Sequence, residues 1–217
     1  MVIIFDMDGL MLDTESVSKK CWTKALKDYG FELPDELFCQ VVGRDANADR
    51  YYFTQHYGDS LNYDMAQEKM QVYKKNHFKE NGLQMKKGLL HLLDILDEME
   101  IKKCVATSSE WSSMEEKLNG LNLFNRFDGF VTGDQVENGK PNPEIFLKAA
   151  KIMETDPADC IVLEDSRAGV AAAHSAGMRV ILIPDLVQPD SEALSRIHAK
   201  CNDLEEAAAL IRNLKNI

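Results

Sequence analysis

The chain has 217 residues, 45% of them hydrophobic and 28% charged, with 12 Gly and 6 Pro. That balance excludes a disordered tail, a collagen-like fibre or a low-complexity segment, and suffices for one large domain or a core with a small satellite. Thirty-six acidic against 25 basic residues leave a formal charge of −11, a field that repels nucleic acid and anionic lipid, so neither is expected as a partner.

The chain opens on MVIIFDMDG, with no basic leader and with Asp6 and Asp8 already inside the apolar stretch. No run approaches the ~18 apolar residues of a membrane span. Val2 to Phe5 reads as a strand buried on both faces, because it is short, β-branched and lacks polar alternation. Next comes a long stretch with helical spacing. Val17, Cys21, Trp22, Ala25, Leu26 and Tyr29 share one stripe, Pro34 opens a second helix that Gly43 ends, and Tyr51 to Tyr57 and Asp64 to Lys79 continue the pattern. So long an insertion is far more than the ~10 to 12 residues that a crossover between parallel strands needs. Residues 15–82 are therefore predicted to form an all-helical domain inserted into a core made of residues 1–14 and 83–217. Leu12 to Glu15 and Asn81 to Gly88 would connect the two.

Beyond the insertion, strand and helix alternate. Lys103 to Ala106, Gly129 to Val131, Cys160 to Leu163 and Val180 to Ile183 read as further strands. Between them lie a face of Leu89, Leu93 and Leu96, a predicted capping box of Ser112 with Glu115, and a stripe of Ile145, Phe146, Ala149 and Met153. The expected class is α/β, a Rossmann-like, doubly wound parallel sheet with an inserted helical cap. Cys21, Cys39, Cys104, Cys160 and Cys201 are odd in number, dispersed and without a CxxC pair. They indicate neither a disulfide framework nor a thiolate zinc site, and a reducing cytoplasm fits them.

In a parallel sheet the carboxyl ends of the strands share one rim, where ligands bind. The residues just past each strand are thus informative: Asp6-Met7-Asp8-Gly9, Thr107-Ser108-Ser109, Gly139-Lys140-Pro141 and Glu164-Asp165-Ser166. Singly, each can be a turn or a helix cap. Together they bring carboxylates, hydroxyls and a lysine to one crevice. Two like charges ~4 Å apart repel by about 4 kcal/mol at an effective dielectric of about 20, so Asp6, Asp8, Glu164 and Asp165 call for a cation. Hard carboxylate oxygens select Mg²⁺, and the five histidines form no zinc pattern.

FDMDG, ATSS, GKPNPEIF and VLEDSRAG, in that order and over about residues 1 to 200, resemble the four motifs of the haloacid dehalogenase superfamily of phosphohydrolases. Their separations are similar to those of the subgroup with a helical cap after the first motif, which includes β-phosphoglucomutase and many small-molecule phosphatases. The resemblance implies that Asp6 is the nucleophile that forms an aspartyl-phosphate and that Asp8 is the general acid and base. It implies that Thr107 and the Ser108 N–H hold the transferring oxygens while Lys140 offsets their charge. Mg²⁺ would sit between Asp6, the carbonyl of Asp8 and Asp165, with Glu164 either a direct ligand or one step out. In the cap, Arg44 resembles a substrate-binding arginine of the mutase branch, and Lys69 is the second candidate contact. Ser18 occupies the place of a histidine of that branch, and Glu110 that of a lysine. Both departures favour a phosphatase for a small phosphorylated metabolite, a sugar phosphate or a nucleotide, over the alternative of a phosphomutase. A monomer is the default expectation.

Overall fold

The computed structural model describes residues 1–44 and 46–214. Strand β1 (Val2–Phe5) leads into four consecutive helices, α1 (Glu15–Lys27), α2 (Asp35–Val41), α3 (Ala46–Tyr57) and α4 (Tyr63–Asn81). Alternation begins after them: α5 (Leu89–Glu98), β2 (Lys102–Ala106), α6 (Trp111–Gly120), β3 (Gly129–Val131), α7 (Glu144–Ile152), β4 (Cys160–Glu164), α8 (Arg167–Ser175) and β5 (Arg179–Leu182). The chain then forms α9 (Ser191–Arg196), β6 (Ala199–Lys200) and α10 (Leu204–Leu214). All strands are parallel, in the order β3-β2-β1-β4-β5-β6. The order reverses between β1 and β4, so β1 lies at the switch point where the crevice of a doubly wound sheet opens.

The continuous apolar runs are explained by burial on both faces. Ile3, Phe5, Val105, Ile161, Leu163 and Ile181 turn toward one apolar cluster with α5 and α10. Their neighbours Val2, Ile4, Cys104, Ala106, Val162 and Val180 turn toward another with α7 and α8. This is the period of two that a pleated strand imposes. Helices α1 to α4 enclose a third cluster built on Trp22, Phe38, Phe53, Tyr63 and Met70. The two connections run antiparallel beside each other, with the Asp13 N–H donating to the Gln84 carbonyl at 2.9 Å and the Lys86 N–H to the Met11 carbonyl at 2.8 Å.

Several features differ from the sequence reading: β2 begins at Lys102, β4 ends at Glu164 and α3 begins at Ala46. Strand β6 has two residues, too few to show as an apolar run. Strand β5 begins at Arg179. The predicted Ser112–Glu115 capping box is absent: α6 starts at Trp111, and its first N–H is taken by Asp134 Oδ1 at 3.1 Å. A carboxylate from the loop after β3 supplies the acceptor, so no local cap is needed. Cys21, Cys39, Cys104, Cys160 and Cys201 are free thiols. Among the described residues no helix is long and apolar enough to cross a membrane.

Candidate active site

Strand register places the site. Phe5 is opposite Val105 on one side and Leu163 on the other, so the next residue of each strand reaches the rim together. Asp6 remains tied to the sheet through its N–H to the Leu163 carbonyl at 3.0 Å. The chain then turns, with the Met11 N–H donating to the Met7 carbonyl at 3.0 Å. Gly9 has φ +90° in this turn, and a Cβ there would lie 2.3 Å from Asp165 Oδ2. Glycine is thus required twice over, by backbone conformation and by the close approach of a carboxylate.

Lys140 is the charge centre of the floor. Its Nζ donates to Asp6 Oδ1 at 2.5 Å and to Glu164 Oε1 at 2.6 Å, with 1% of its side chain exposed. Burial lowers an ammonium pKa, but the carboxylates of Asp6 and Glu164 outweigh it and hold Lys140 above its usual value. Burial pushes the Asp6 carboxyl up to about 8, opposed by Lys140 and reinforced by Glu164 and Asp8. Asp165 is raised by burial and by the charges of Glu164, Asp6 and Glu15. Its Oδ1 is buried without a hydrogen-bond partner.

Glu164 faces a different way. One oxygen is on Lys140, and Oε2 accepts from the Asp165 N–H at 2.9 Å, the Ser166 N–H at 2.8 Å and the Ser166 hydroxyl at 3.0 Å. Both oxygens are engaged within the protein. Of the two positions left open for Glu164, the geometry fits the one a step removed from any ion. Among the described residues no three His, Cys, Asp or Glu side chains gather into a metal-binding group. The donor set that does fit a hard cation is two buried carboxylates, Asp6 and Asp165, one with an orphaned oxygen, beside the backbone of Asp8. Mg²⁺ commonly uses so few protein ligands and completes its shell with water and phosphate oxygens.

Across the crevice, Thr107 is buried and accepts the Ser109 N–H at 3.1 Å, and the Ser108 hydroxyl donates to the Gly43 carbonyl at 3.4 Å. A cavity of about 430 Å³ extends from Asp6, Asp8, Thr107 and Ser108 to the helices above, where Trp22, Gly43, Arg44 and Lys74 line it. Arg44 thus reaches the cavity, with its guanidinium 5.3 Å from the centre of the Tyr52 ring. Lys69 does not: its Nζ is paired with Asp28 at 2.8 Å and lies over Tyr29. The reason is helical phase. Gln67, Met70, Gln71 and Lys74 line the cavity at spacings of three and four residues, a face of α4 that excludes Lys69.

Lys74, Glu15 and Lys117 escaped the sequence reading, which placed Ser109 at the rim without a role of its own. Lys74 donates to Ser18 Oγ at 2.7 Å. Burial pushes Glu15, at the start of α1, up to about 7, opposed by Lys74 and reinforced by Asp8. Lys117 and Ser109 both bind Asp8, at 2.7 Å each. Burial alone would raise Asp8, but the ammonium groups of Lys117 and Lys74 prevail and hold it below the usual carboxylate range. One signal could have found Lys117: it lies four residues after the cavity-lining Ser113, on the same face of α6.

Residues 3–183 match the haloacid dehalogenase-like hydrolase family. A Drosophila melanogaster protein described as a probable pseudouridine-5'-phosphatase is 36% identical over 188 residues, covering 84% of this chain and 80% of the relative. A Thermotoga maritima phosphorylated carbohydrates phosphatase is 32% identical over 179 residues, covering 82% of each. The crystal structure of β-phosphoglucomutase from Clostridium difficile, 24% identical, superposes with a TM-score of 0.82 over 99% of this chain and 96% of that one, and shares the fold.

Proposed function

The chain belongs to the haloacid dehalogenase-like hydrolases and is a phosphoric monoester hydrolase, and from that premise we propose that it cleaves a small phosphorylated metabolite through an aspartyl-phosphate on Asp6, with Mg²⁺ as cofactor. The observation that carries this reading is the meeting of Asp6, Asp8, Lys140 and Thr107 at one sheet rim beneath a cavity of metabolite size. Residues 15–82 would act as the cap, shielding the cleft from bulk water and selecting the leaving group.

In the first half-reaction an Asp6 oxygen attacks phosphorus as the bond to the leaving oxygen breaks, and Asp8 delivers a proton to that oxygen. In the second, Asp8 takes a proton from water, the water oxygen attacks phosphorus, and the bond to Asp6 breaks to release inorganic phosphate. Lys140 offsets charge on Asp6 and on the phosphoryl oxygens, while Thr107 and the Ser108 N–H orient those oxygens. When bound, Mg²⁺ would be held by Asp6, Asp165 and the Asp8 carbonyl and would supply Lewis-acid stabilisation of the phosphoryl charge. The mutase alternative is disfavoured by Ser18, whose hydroxyl donates to the Thr14 carbonyl and whose oxygen accepts from Lys74.

A panel of sugar phosphates and nucleoside monophosphates, assayed with and without Mg²⁺, is expected to release phosphate only with the metal and without added bisphosphate. Turnover that required glucose 1,6-bisphosphate and released no phosphate would replace this reading with an isomerase.

The metal also has a stability signature. Asp6, raised to about 8, and Asp165, raised in the same direction, hold protons in the folded state that the unfolded chain releases from about pH 4. The metal-free protein therefore loses stability as pH rises from about 4 to about 8. A cation that neutralises both carboxylates removes that loss. Mg²⁺ is expected to raise the unfolding temperature by several degrees at about pH 8 and by much less at about pH 5, read by calorimetry. An equal shift at both pH values would place the ion elsewhere.

A further inference from the structure

Asp8 does not stand free in the crevice. Its Oδ1 is 2.7 Å from Lys117 Nζ and its Oδ2 is 2.7 Å from Ser109 Oγ, so each oxygen has a donor. The two donors also meet each other, Lys117 Nζ to Ser109 Oγ at 3.4 Å, which closes a three-membered polar ring. The Lys117 and Asp8 side chains are 15% and 18% exposed, so the pair is largely shielded from solvent. The helix that carries Lys117 is itself anchored. Met114 and Leu118 of α6 are fully buried in the core beneath the sheet, and Asp134 caps the helix start. Glu110 precedes α6, and Lys117 reaches Asp8 from two turns further along that helix.

We infer that Lys117, together with Ser109, is the positioning residue of Asp8, holding its ionised carboxylate where it takes the proton of the attacking water, so that breakdown of the phosphoenzyme, and not phosphate binding or phosphoryl transfer to Asp6, depends on this lysine. The inference rests on the proposed hydrolase chemistry. A carboxylate held at both oxygens has one orientation, whereas one held only by a serine hydroxyl can swing about its side-chain bonds. Each lost contact then reduces the fraction of time that an oxygen of Asp8 faces the O–H of the attacking water.

The test follows p-nitrophenyl phosphate, whose leaving group departs readily as an anion, with the parent, Lys117→Met and Lys117→Arg enzymes and Mg²⁺ present. kcat/KM covers only the steps up to phosphoryl transfer to Asp6, whereas breakdown of the phosphoenzyme enters kcat. Lys117→Met is expected to lower kcat at least tenfold, toward the ~10²-fold at the lower end of general acid–base contributions, while kcat/KM stays within about threefold of the parent. It is also expected to show a burst of p-nitrophenolate approaching one per active site. Lys117→Arg is expected to recover most of kcat. An equal fall in kcat and kcat/KM, or no fall in either, would overturn the inference and leave Lys117 a packing or phosphate-binding group. The Asp6→Asn enzyme is run beside them: hydrolysis by that variant would refute Asp6 as the nucleophile, independently of Lys117.

Discussion

Asp6→Asn is expected to abolish phosphate release while leaving the fold intact. The loss should reach about 10⁴-fold or more in kcat, the scale on which removal of a nucleophile acts. The amide keeps the size of the side chain and one carbonyl oxygen toward Lys140, but it cannot form the bond to phosphorus. Folding should suffer little, because Lys140 retains Glu164 at 2.6 Å and the crevice loses one of its mutually repelling charges. The unfolding temperature of the metal-free variant is expected to equal or exceed that of the parent. Acid quenching of the parent with radiolabelled substrate should trap a phosphoenzyme, and the variant should trap none. A variant that released phosphate at the parent's rate would move the nucleophile to another residue and remove the basis for every role assigned around Asp6.

The backbone decides which parts of the site were legible in the sequence and which were not. Asp6, Thr107, Lys140 and Asp165 could be found because each comes after a strand or its loop, and strand register alone carries the residue after a buried run to the rim. The strands themselves were visible because both faces are buried, which leaves apolar runs without alternation. Glu164 was ambiguous from sequence, since adjacent carboxylates at a strand end point to opposite sides. Only the structure shows Glu164 turned to Lys140 and the Ser166 amide. Side chains that reach the crevice from helices were harder, because helix rotation is set by packing. Lys69 and Lys74 lie five residues apart on α4, about 140° around the helix axis, so only one can face the cavity. Met70 and Ala66, buried in the helical cluster, decide that it is Lys74. Strand β6 and the start of α6 were illegible for a related reason, since their partners come from residues distant in sequence.

Lys140→Met is the second variant with a large expected effect, and it separates two contributions that one lysine makes. The ammonium sits between two buried carboxylates, and deleting one member of a buried ion pair typically costs about 3–5 kcal/mol because the remaining charges lose their partner. Glu164 is partly protected by its three donors from Asp165 and Ser166. Asp6 has no comparable set, so the folded metal-free variant is expected to keep its proton there to higher pH than the parent does and to lose more stability as pH rises. Combining Lys140→Met with Glu164→Gln removes the charge that Lys140 chiefly neutralises behind the site, while the amide oxygen can still accept from the Ser166 N–H. The double variant is therefore expected to regain more than half of the lost stability in urea unfolding. It should regain no activity. Both variants are expected to lose about 10³-fold in kcat/KM, because neither supplies a fixed positive charge against the oxygens of the transferring group. If the double variant recovered turnover along with stability, Lys140 would serve only to hold the floor of the crevice together, and charge compensation during transfer would have to come from elsewhere in the site.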